Sequence, residues 1–417
     1  MSRLFFFFLV SLSSSISASP LVLQINKYYS HVQSSIENVE VSNLKMFVFE
    51  KEYFQAGARL FLASYDENVY LKNIQVQTGG RKISLDQLND FNDDGTPKSI
   101  TIAADLLITT TNPDAVTTYL NGYLYVTTKL QAEDSTFSVY VIKNSHTIST
   151  TGTKSTVVVL NTKLQVNTDP DEPSKTSYVT NINQSPNTNL YFQWGIPAAN
   201  WNEITNNTFF MNPIDLPTKH FFDHVEPLQV GLDYWYFTSF GPVNMQLENK
   251  YVSNHVYTTT AVSTTGLIVN DFIFKEHVVN FQTDKSRTGT SGTFTSAFID
   301  SSDLMIFMKY DSSSFKNEFN RSSEVGNLSW TIAQPNKLTI NSTSSLPGTF
   351  YCQYFTFTGG LLPVTIPPTT ISPSPTVTKK STVVSTISTT PLITTTKGSS
   401  FLFLSKLLAI VLATLMY

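Results

Sequence analysis

The sequence contains a single cysteine, Cys352, and one cysteine cannot form an internal disulfide bond. Small secreted domains usually depend on disulfides, so the folded part of this chain is expected to be stabilised by burial of apolar side chains instead. Cys352 lies in the segment TFYCQYFTF, where Phe350, Cys352 and Tyr354 share one face of a predicted strand. We therefore predict a buried thiol, with pairing to a second chain as the alternative.

Charged residues are also few, because they make up 14% of the chain and the net charge is −4. The sequence has no basic patch, so a nucleic-acid partner is not expected. It also lacks the G-x-S-x-G, H-E-x-x-H, Walker and C-x-x-C motifs of common catalytic, nucleotide and redox sites. We therefore predict a non-enzymatic protein with no catalytic residues and no cofactor.

Runs rich in Leu, Ala, Glu and Lys that would predict long helices are nearly absent, whereas aromatic residues reach 13%. Short runs of β-branched and aromatic residues recur between turn signals, and residues 137–141 alternate strictly between apolar and more polar positions. The segment 94–97 predicts a turn, and Asn121-Gly122 predicts a two-residue hairpin turn. We predict an all-β protein with two or three antiparallel β-sandwich domains, followed by a disordered stalk rich in Ser, Thr and Pro.

The composition changes along the chain and predicts five regions. They are a signal peptide at 1–18, a β-sandwich domain at 19–165, a second β-rich region of one or two domains at 180–360, a Ser/Thr/Pro-rich stalk at 361–400, and a hydrophobic segment at 401–417. Five aromatic residues of the second β-rich region are predicted to anchor its core: Trp194, Trp235, Tyr236, Phe307 and Trp330.

The hydrophobic segment 401–417 contains Lys406 and is shorter than the roughly 20 apolar residues of a spanning helix. With a secretory leader and a run of small residues before it, it has the layout of a GPI-attachment signal. Attachment is expected at Gly398 or Ser399, or upstream at Ser388. A single-pass helix and a secreted product are the alternatives. We expect the chain on the extracellular face of the plasma membrane, held there by a lipid anchor.

N-glycosylation is predicted on five asparagines that begin N-x-[ST] triplets. They are Asn183, Asn206, Asn320, Asn327 and Asn341.

Two segments carry residues that often bind metals. Asp90, Asn92 and Asp94 match the first half of a calcium-binding loop, but the flanking residues predict strands and the last ligand is missing, so the alternatives are a weak calcium site and an acidic hairpin loop. The segment 220–226 contains two histidines and two carboxylates between prolines. On a helix His220 and His224 would share a face, whereas a short connector is the simpler interpretation.

The stretch LNGYLYVTTKLQAEDSTFSVYVIKNSHTIST, followed by STVVVLNTK, resembles the CUB-like β-sandwich domain of nematode secreted and GPI-anchored proteins. The resemblance covers the N-terminal domain and rests on the strand pattern. It implies a surface or secreted protein, with a role in defence for some members. CUB domains usually carry disulfides and an acidic calcium site, and the lack of cysteine before Cys352 departs from that pattern.

These features together predict a non-enzymatic surface glycoprotein, raised on a glycosylated stalk and acting in recognition, adhesion or innate defence. Its partner would be an extracellular protein or a glycan. The alternatives are a glycan-acting hydrolase, for which Asp223 and Glu226 are the nearest carboxylate pair, and a structural component of the glycocalyx.

Overall fold

Strands account for nearly all of the regular structure in the part of the chain that the computed structural model describes, which runs from residue 21 to 358. Its internal gaps are 26–29, 33–34, 38–42, 49–55, 65–68, 104–105, 111–120, 144, 162–176, 187, 199–207, 215–218, 251, 253, 258–262, 273–275, 282–288, 300–303, 310–313, 320–326, 332–335 and 343–346. All described residues belong to one compact unit, Met1–Thr365. The predicted signal peptide, the stalk from 361 onward and the segment 401–417, with Gly398, Ser399 and Ser388, lie outside them.

The described secondary structure consists of 28 strands and three short helices. The first strands are β1 (Leu21–Ile25), β2 (Ser30–Val32), β3 (Ser35–Glu37), β4 (Asn43–Val48), β5 (Arg59–Ala63), β6 (Ile74–Thr78), β7 (Arg81–Ser84), β8 (Ser99–Thr101), β9 (Leu107–Thr110) and β10 (Asn121–Val126). The helices are a 3-10 helix (Val69–Asn73), α1 (Leu85–Leu88) and α2 (Lys129–Glu133). Helix α2 begins with a capping box, in which Thr128 Oγ1 accepts from the Gln131 backbone N–H and Gln131 Oε1 accepts from the Thr128 N–H.

The remaining strands follow α2. They are β11 (Phe137–Ile142), β12 (His146–Thr150), β13 (Ser155–Asn161), β14 (Ser177–Gln184), β15 (Asn189–Trp194), β16 (Thr208–Asn212), β17 (His224–Gly231), β18 (Tyr234–Phe240), β19 (Val243–Glu248), β20 (Asn254–Tyr257), β21 (Ser263–Phe272), β22 (Glu276–Phe281), β23 (Gly289–Ile299), β24 (Leu304–Lys309), β25 (Ser314–Phe319), β26 (Asn327–Thr331), β27 (Lys337–Ser342) and β28 (Pro347–Thr358).

The described strands form five sheets, which we number by their position in the stack of sheets. Sheet I has the order β3-β2-β9-β6-β7, sheet II β1-β4-β10-β5-β8, sheet III β11-β13-β18-β15-β16, sheet IV β12-β19-β14-β17-β21-β28-β23-β26, and sheet V β20-β22-β27-β24-β25. The all-β prediction is confirmed. Most pairs are antiparallel, but β4 with β10, β11 with β13, β17 with β21, and β20 with β22 run parallel.

Apolar cores join neighbouring sheets because each strand alternates its side chains between two faces. Between sheets I and II, Val76 and Ile108 pack with Leu60, Leu62 and Leu124. The opposite face of sheet II packs on sheet III through a second core, whose members are Phe61, Ala63, Tyr125, Phe137, Val139, Val141, Val158, Leu160 and Tyr236. Sheet II is therefore covered on both faces.

Sheet III is covered on both faces as well. Its other face packs on sheet IV, and Phe192 stacks on Trp235 there with ring centroids 4.8 Å apart. Every residue of β13 is buried. The edge strand β16 is also held by sheet IV, because Gln353 Nε2 donates to the Met211 carbonyl at 2.8 Å and Gln353 Oε1 accepts from its N–H at 3.1 Å.

Sheet V contacts the far face of sheet IV, where the rings of Phe281 and Tyr354 meet edge to face at 5.8 Å. A Cβ on Gly266, the cross-strand partner of Tyr354, would lie 2.0 Å from the Tyr354 hydroxyl oxygen. Only glycine leaves room for that ring.

The structure confirms two of the predicted aromatic anchors and corrects a third. Trp235 and Tyr236 are buried on opposite faces of β18. Trp194 is 39% exposed, because it is the last residue of β15 and its ring reaches only the margin of the core, 6.5 Å from the ring of Tyr351. The side chains of Phe307 and Trp330 lie outside the described residues.

Strand pairing also departs from two local expectations. Asn121 and Gly122 open β10 and pair in parallel with β4, so the predicted hairpin turn at this dipeptide is wrong. Strands β12 and β13, on the N-terminal side of the predicted domain boundary, pair with β19 and β18 respectively on its C-terminal side. The domain limits stay a prediction, but the two regions share sheets III and IV.

The stacked ring of Phe192 is expected to contribute strongly to stability. We predict that Phe192→Ala lowers the free energy of unfolding by about 3–5 kcal/mol, because it leaves a cavity in the core between sheets III and IV. Chemical denaturation measured by tryptophan fluorescence checks this value. Trp194→Ala, two residues along the same strand, is the matched control. It should lower the free energy of unfolding clearly less, because the Trp194 ring is partly in solvent. Equal losses would contradict the assigned core.

Candidate functional site

The loop between α1 and β8 is closed by its own hydrogen bonds. The backbone N–H groups of Asn92, Gly95 and Lys98 donate to the carbonyls of Thr96, Asn92 and Asp90 at 2.8–2.9 Å. Gly95 has a φ of +79°, a conformation that favours glycine. A hydrogen-bonded turn is therefore present at 92–95, two residues before the predicted segment 94–97, and it closes the loop.

The three calcium candidates of this loop already have protein partners. Asp90 pairs with Lys98 Nζ at 2.5 Å, which lowers the pKa of its carboxyl. Asp94 Oδ1 accepts from the hydroxyl and the N–H of Thr96, which lowers its pKa. Asn92 Nδ2 donates to Thr96 Oγ1. In the described part of the chain, no group of three or more His, Cys, Asp or Glu residues is placed to hold a metal ion. Calcium binding stays a prediction.

A cleft of about 300 Å³ lies beside this loop, where sheets II and III meet. Its walls come from β5, the loop, β8, α2 and the start of β11. The lining residues are Arg59, Phe61, Asn92, Asp94, Thr96, Pro97, Ser99, Thr127, Gln131, Ala132, Phe137, Ser138 and Val139. We call this site the II–III cleft.

The II–III cleft has an apolar floor and a polar rim. Phe61, Phe137 and Val139 are buried members of the core between sheets II and III. Arg59 is exposed at the start of β5 and forms no ion pair with another described residue, and Asp94, in the loop, is also exposed. Such a combination of a few polar groups with an apolar base is typical of sites for small ligands.

A second, smaller cavity of about 150 Å³ includes Phe91, Gly95 and His146 in its lining. The His146 ring lies 4.9 Å from the ring of Tyr140, and burial lowers the pKa of His146. A Cβ on Gly95 would lie 3.1 Å from His146 Cε1. His146 therefore supports the loop from the side of the smaller cavity.

Sequence reasoning found the loop but missed the rest of the II–III cleft. Arg59, Gln131 and Ser138 come from separate segments, and no motif or spacing connects them. The signal available was weak: a charged residue opens the otherwise apolar run RLFLA, and Thr128 and Gln131 form a capping pattern.

The segment 220–226 is extended, so its two histidines do not share a helical face. His220 Nε2 lies 3.1 Å from Ser263 Oγ, and burial lowers its pKa. His224 Nε2 lies 3.2 Å from Glu226 Oε1, and the hydrogen bond that the imidazole donates to this carboxylate raises the pKa of His224. The histidines thus make two different polar contacts, and residues 224–226 belong to β17, so only the first part of the segment is a connector.

The carboxylates considered for a hydrolase differ in their surroundings. Glu226 is buried and held by His224, whereas Asp223 is exposed one residue before β17. Neither lines the II–III cleft or the smaller cavity. These positions favour the structural interpretation of the pair.

Two of the predicted glycosylation positions have described side chains, and neither is buried. Asn183 is exposed beside an irregularity in the pairing of β14. Asn341 lies on the face of β27 opposite to the buried Leu338 and Ile340, and is half-buried there. Asn327 opens β26, and its side chain lies outside the described residues, as do Asn206 and Asn320 altogether.

Cys352 is buried in β28, as predicted, and accepts a hydrogen bond from Thr295 Oγ1 at 3.8 Å. Burial raises the pKa of the thiol to about 12. The nucleophilic thiolate is therefore scarce at neutral pH.

No helix in the described residues has the length and apolar character needed to span a membrane. The predicted anchor segment 401–417 lies beyond the residues on which this finding rests.

Comparison with known proteins identifies one family. A family described as a transmembrane glycoprotein matches residues 55–413. No curated protein matches the chain. Among solved structures, the CUB1-EGF-CUB2 domains of rat MASP-1 are similar over 52% of this chain and 99% of that chain, with 10% identity and a TM-score of 0.15, a score too low to support an argument. A nematode origin has no support here, and membership of the CUB-like group stays a prediction.

Gly95 is predicted to be needed both for its backbone conformation and for its closeness to His146. Gly95→Ala should destabilise the chain by about 1–2 kcal/mol, the typical cost of a left-handed non-glycine residue, and by a further amount from the contact with His146. Gly80→Ala is the matched control, because Gly80 has a φ of +76° and no atom lies within 4 Å of the position that a Cβ would take there. Thermal unfolding compares the two variants. A Gly95→Ala cost no larger than that of Gly80→Ala would contradict the contact.

His146 is predicted to make the fold sensitive to acid. Folding lowers its pKa, so the unfolded chain binds this proton at a higher pH than the folded chain does. Its contribution is therefore complete above the unfolded-state pKa of about 6.5 and is lost as the pH falls below that value. Unfolding followed between pH 7.5 and 5 should show a smaller loss of stability in His146→Phe than in the unchanged chain. Parallel pH profiles would contradict the assignment.

Proposed function

The chain belongs to a family of transmembrane glycoproteins, and from this membership we propose that it is a non-enzymatic cell-surface glycoprotein that acts in extracellular recognition, in adhesion or innate defence. The match over residues 55–413 is the observation that carries the proposal. It includes nearly all of the described strands, the Ser/Thr/Pro-rich segment and most of the hydrophobic C-terminal segment.

The exposed position of Asn183 and the half-buried position of Asn341 support glycosylation, because a glycan needs a side chain that can reach solvent. Asn206, Asn320 and Asn327 are proposed as further acceptors from their sequence alone. On this view glycans cover parts of the folded region, and the Ser/Thr/Pro-rich segment 361–400 raises that region from the membrane.

Membrane attachment is proposed through a GPI anchor in place of the segment 401–417, with Gly398, Ser399 or Ser388 as the attachment residue. The shortness of the segment and its Lys406 support this anchor. A single-pass helix formed by the same segment is the competing arrangement, and the family description names a transmembrane protein.

The II–III cleft is the proposed recognition surface. It combines a preformed apolar floor with exposed charged groups of both signs, and its loop is held by internal hydrogen bonds. A preformed surface of this kind binds a partner without a large cost of ordering.

Surface display and glycosylation can be tested together on cultured cells that express the full chain. An N-glycosidase added to intact cells should lower the apparent mass of the protein on a gel, because the glycosylated asparagines face the medium. Asn183→Gln and Asn341→Gln should each lower the apparent mass of the untreated protein by the mass of one glycan. A phospholipase specific for phosphatidylinositol should then release the protein into the medium.

Asn244→Gln is the matched control, because Asn244 pairs with Asn183 across the sheet but begins no N-x-[ST] triplet. It should leave the gel mobility unchanged. Resistance of the intact-cell protein to the glycosidase would overturn the proposed location. Retention on the cells after phospholipase treatment would replace the GPI anchor with a spanning helix.

A further inference from the structure

We propose that the II–III cleft binds a neutral saccharide unit, of one or two sugar rings. This inference rests on the proposed recognition function and names the ligand class of the same cleft.

The charges of the cleft argue for a ligand without net charge. Arg59 and Asp94 are the two ionised side chains in its lining, and their charges cancel. Neither forms an ion pair with another described residue. The Asp94 carboxylate would repel an anionic ligand, and the Arg59 guanidinium would repel a cationic ligand.

The hydrogen-bonding groups of the cleft argue for a ligand rich in hydroxyls. The Arg59 guanidinium offers only donors, whereas the carboxylate of Asp94 offers only acceptors. Asp94 uses Oδ1 for both bonds from Thr96, and no hydrogen bond to Oδ2 is found among the described residues. A hydroxyl can donate to one group and accept from the other. Neighbouring hydroxyls on a sugar ring therefore suit this pair.

Further polar side chains in the walls of the cleft can also donate hydrogen bonds to hydroxyls or accept them. Ser99 and Ser138 contribute hydroxyls to the lining. Thr127 Oγ1 accepts from the Arg59 backbone N–H at 2.9 Å, and its own proton can still be donated. A ligand with several hydroxyls would satisfy these groups better than an apolar ligand, which would leave them without partners.

The volume of the cleft and its apolar floor limit the ligand to one or two sugar rings. The volume of about 300 Å³ lies at the lower end of ligand pockets. Phe61 and Phe137 are more than nine-tenths buried, so they form a shallow apolar base and not a freestanding stacking platform. The C–H groups of one or two sugar rings fit against such a base.

The test uses the full chain purified in a detergent without a sugar headgroup. It is applied to immobilised neutral mono- and disaccharides and to their sialylated counterparts, and the binding of free glycine, which carries one charge of each sign, is measured in solution. Binding is expected to the neutral saccharides. Arg59→Gln removes the positive charge and the guanidinium donors from the rim, and Ala132→Trp fills the cleft from α2. Arg59→Gln should weaken binding about tenfold or more, as the loss of a charged hydrogen bond does. Ala132→Trp should weaken binding at least as much, because its ring occupies the space of the ligand.

Two substitutions serve as matched controls. Arg81→Gln removes the same charge at an exposed position of β7 that does not line the cleft, and Leu130→Trp introduces the same ring on the exposed side of α2. Both should bind like the unchanged chain, and thermal unfolding confirms that all four variants fold.

Several results would overturn the proposal. Selective binding to sialylated saccharides or to glycine would reject a neutral saccharide as the ligand. Binding that Arg59→Gln and Ala132→Trp leave unchanged would reject the cleft as the binding site. A lack of binding to every probe would reject both. None of these results affects surface display, which the glycosidase treatment of intact cells tests separately.

Discussion

Burial of sheet III on both faces is the constraint on which the rest of the structure depends. Every residue of β13 is enclosed, with Val157 and Val159 directed to sheet IV and Val158 and Leu160 to sheet II. A strand with two buried faces needs an apolar partner on each side. Sheets II and IV must therefore both present apolar faces. This continuous burial stabilises a chain whose single cysteine cannot supply a disulfide.

The II–III cleft is a consequence of this arrangement. Where β5 and β11 reach the margin of the shared core, Phe61 and Phe137 come to the base of an opening instead of being fully enclosed. The loop closed by Asn92 and Gly95 and the capped helix α2 form its walls. Arg59 and Asp94 lie at the margin because ionised groups remain in water unless they are paired.

The same alternation of faces separates the candidate glycosylation position on β27 from the core. Sheet V has one face toward sheet IV, so Leu338 and Ile340 are buried while Asn341 lies on the other side. Asn183 reaches solvent beside the irregular pairing of β14. Glycans at these positions would leave the packed faces undisturbed, which agrees with a glycoprotein that folds around extensive apolar cores.

Local sequence determined the strands, because alternation in residues 137–141 and the apolar run of β13 are properties of a few neighbouring residues. It also determined the turn at Gly95 and the burial of Cys352. Tertiary structure decided the partners. Asn121-Gly122 has the chemistry of a hairpin turn, yet it pairs in parallel with β4, and Trp194 is exposed because its strand ends at the margin of a core. The cleft could not be predicted from the sequence either. Arg59, Asp94 and Ser138 line one cleft only because three distant segments pack together, and no local sequence pattern indicates this packing.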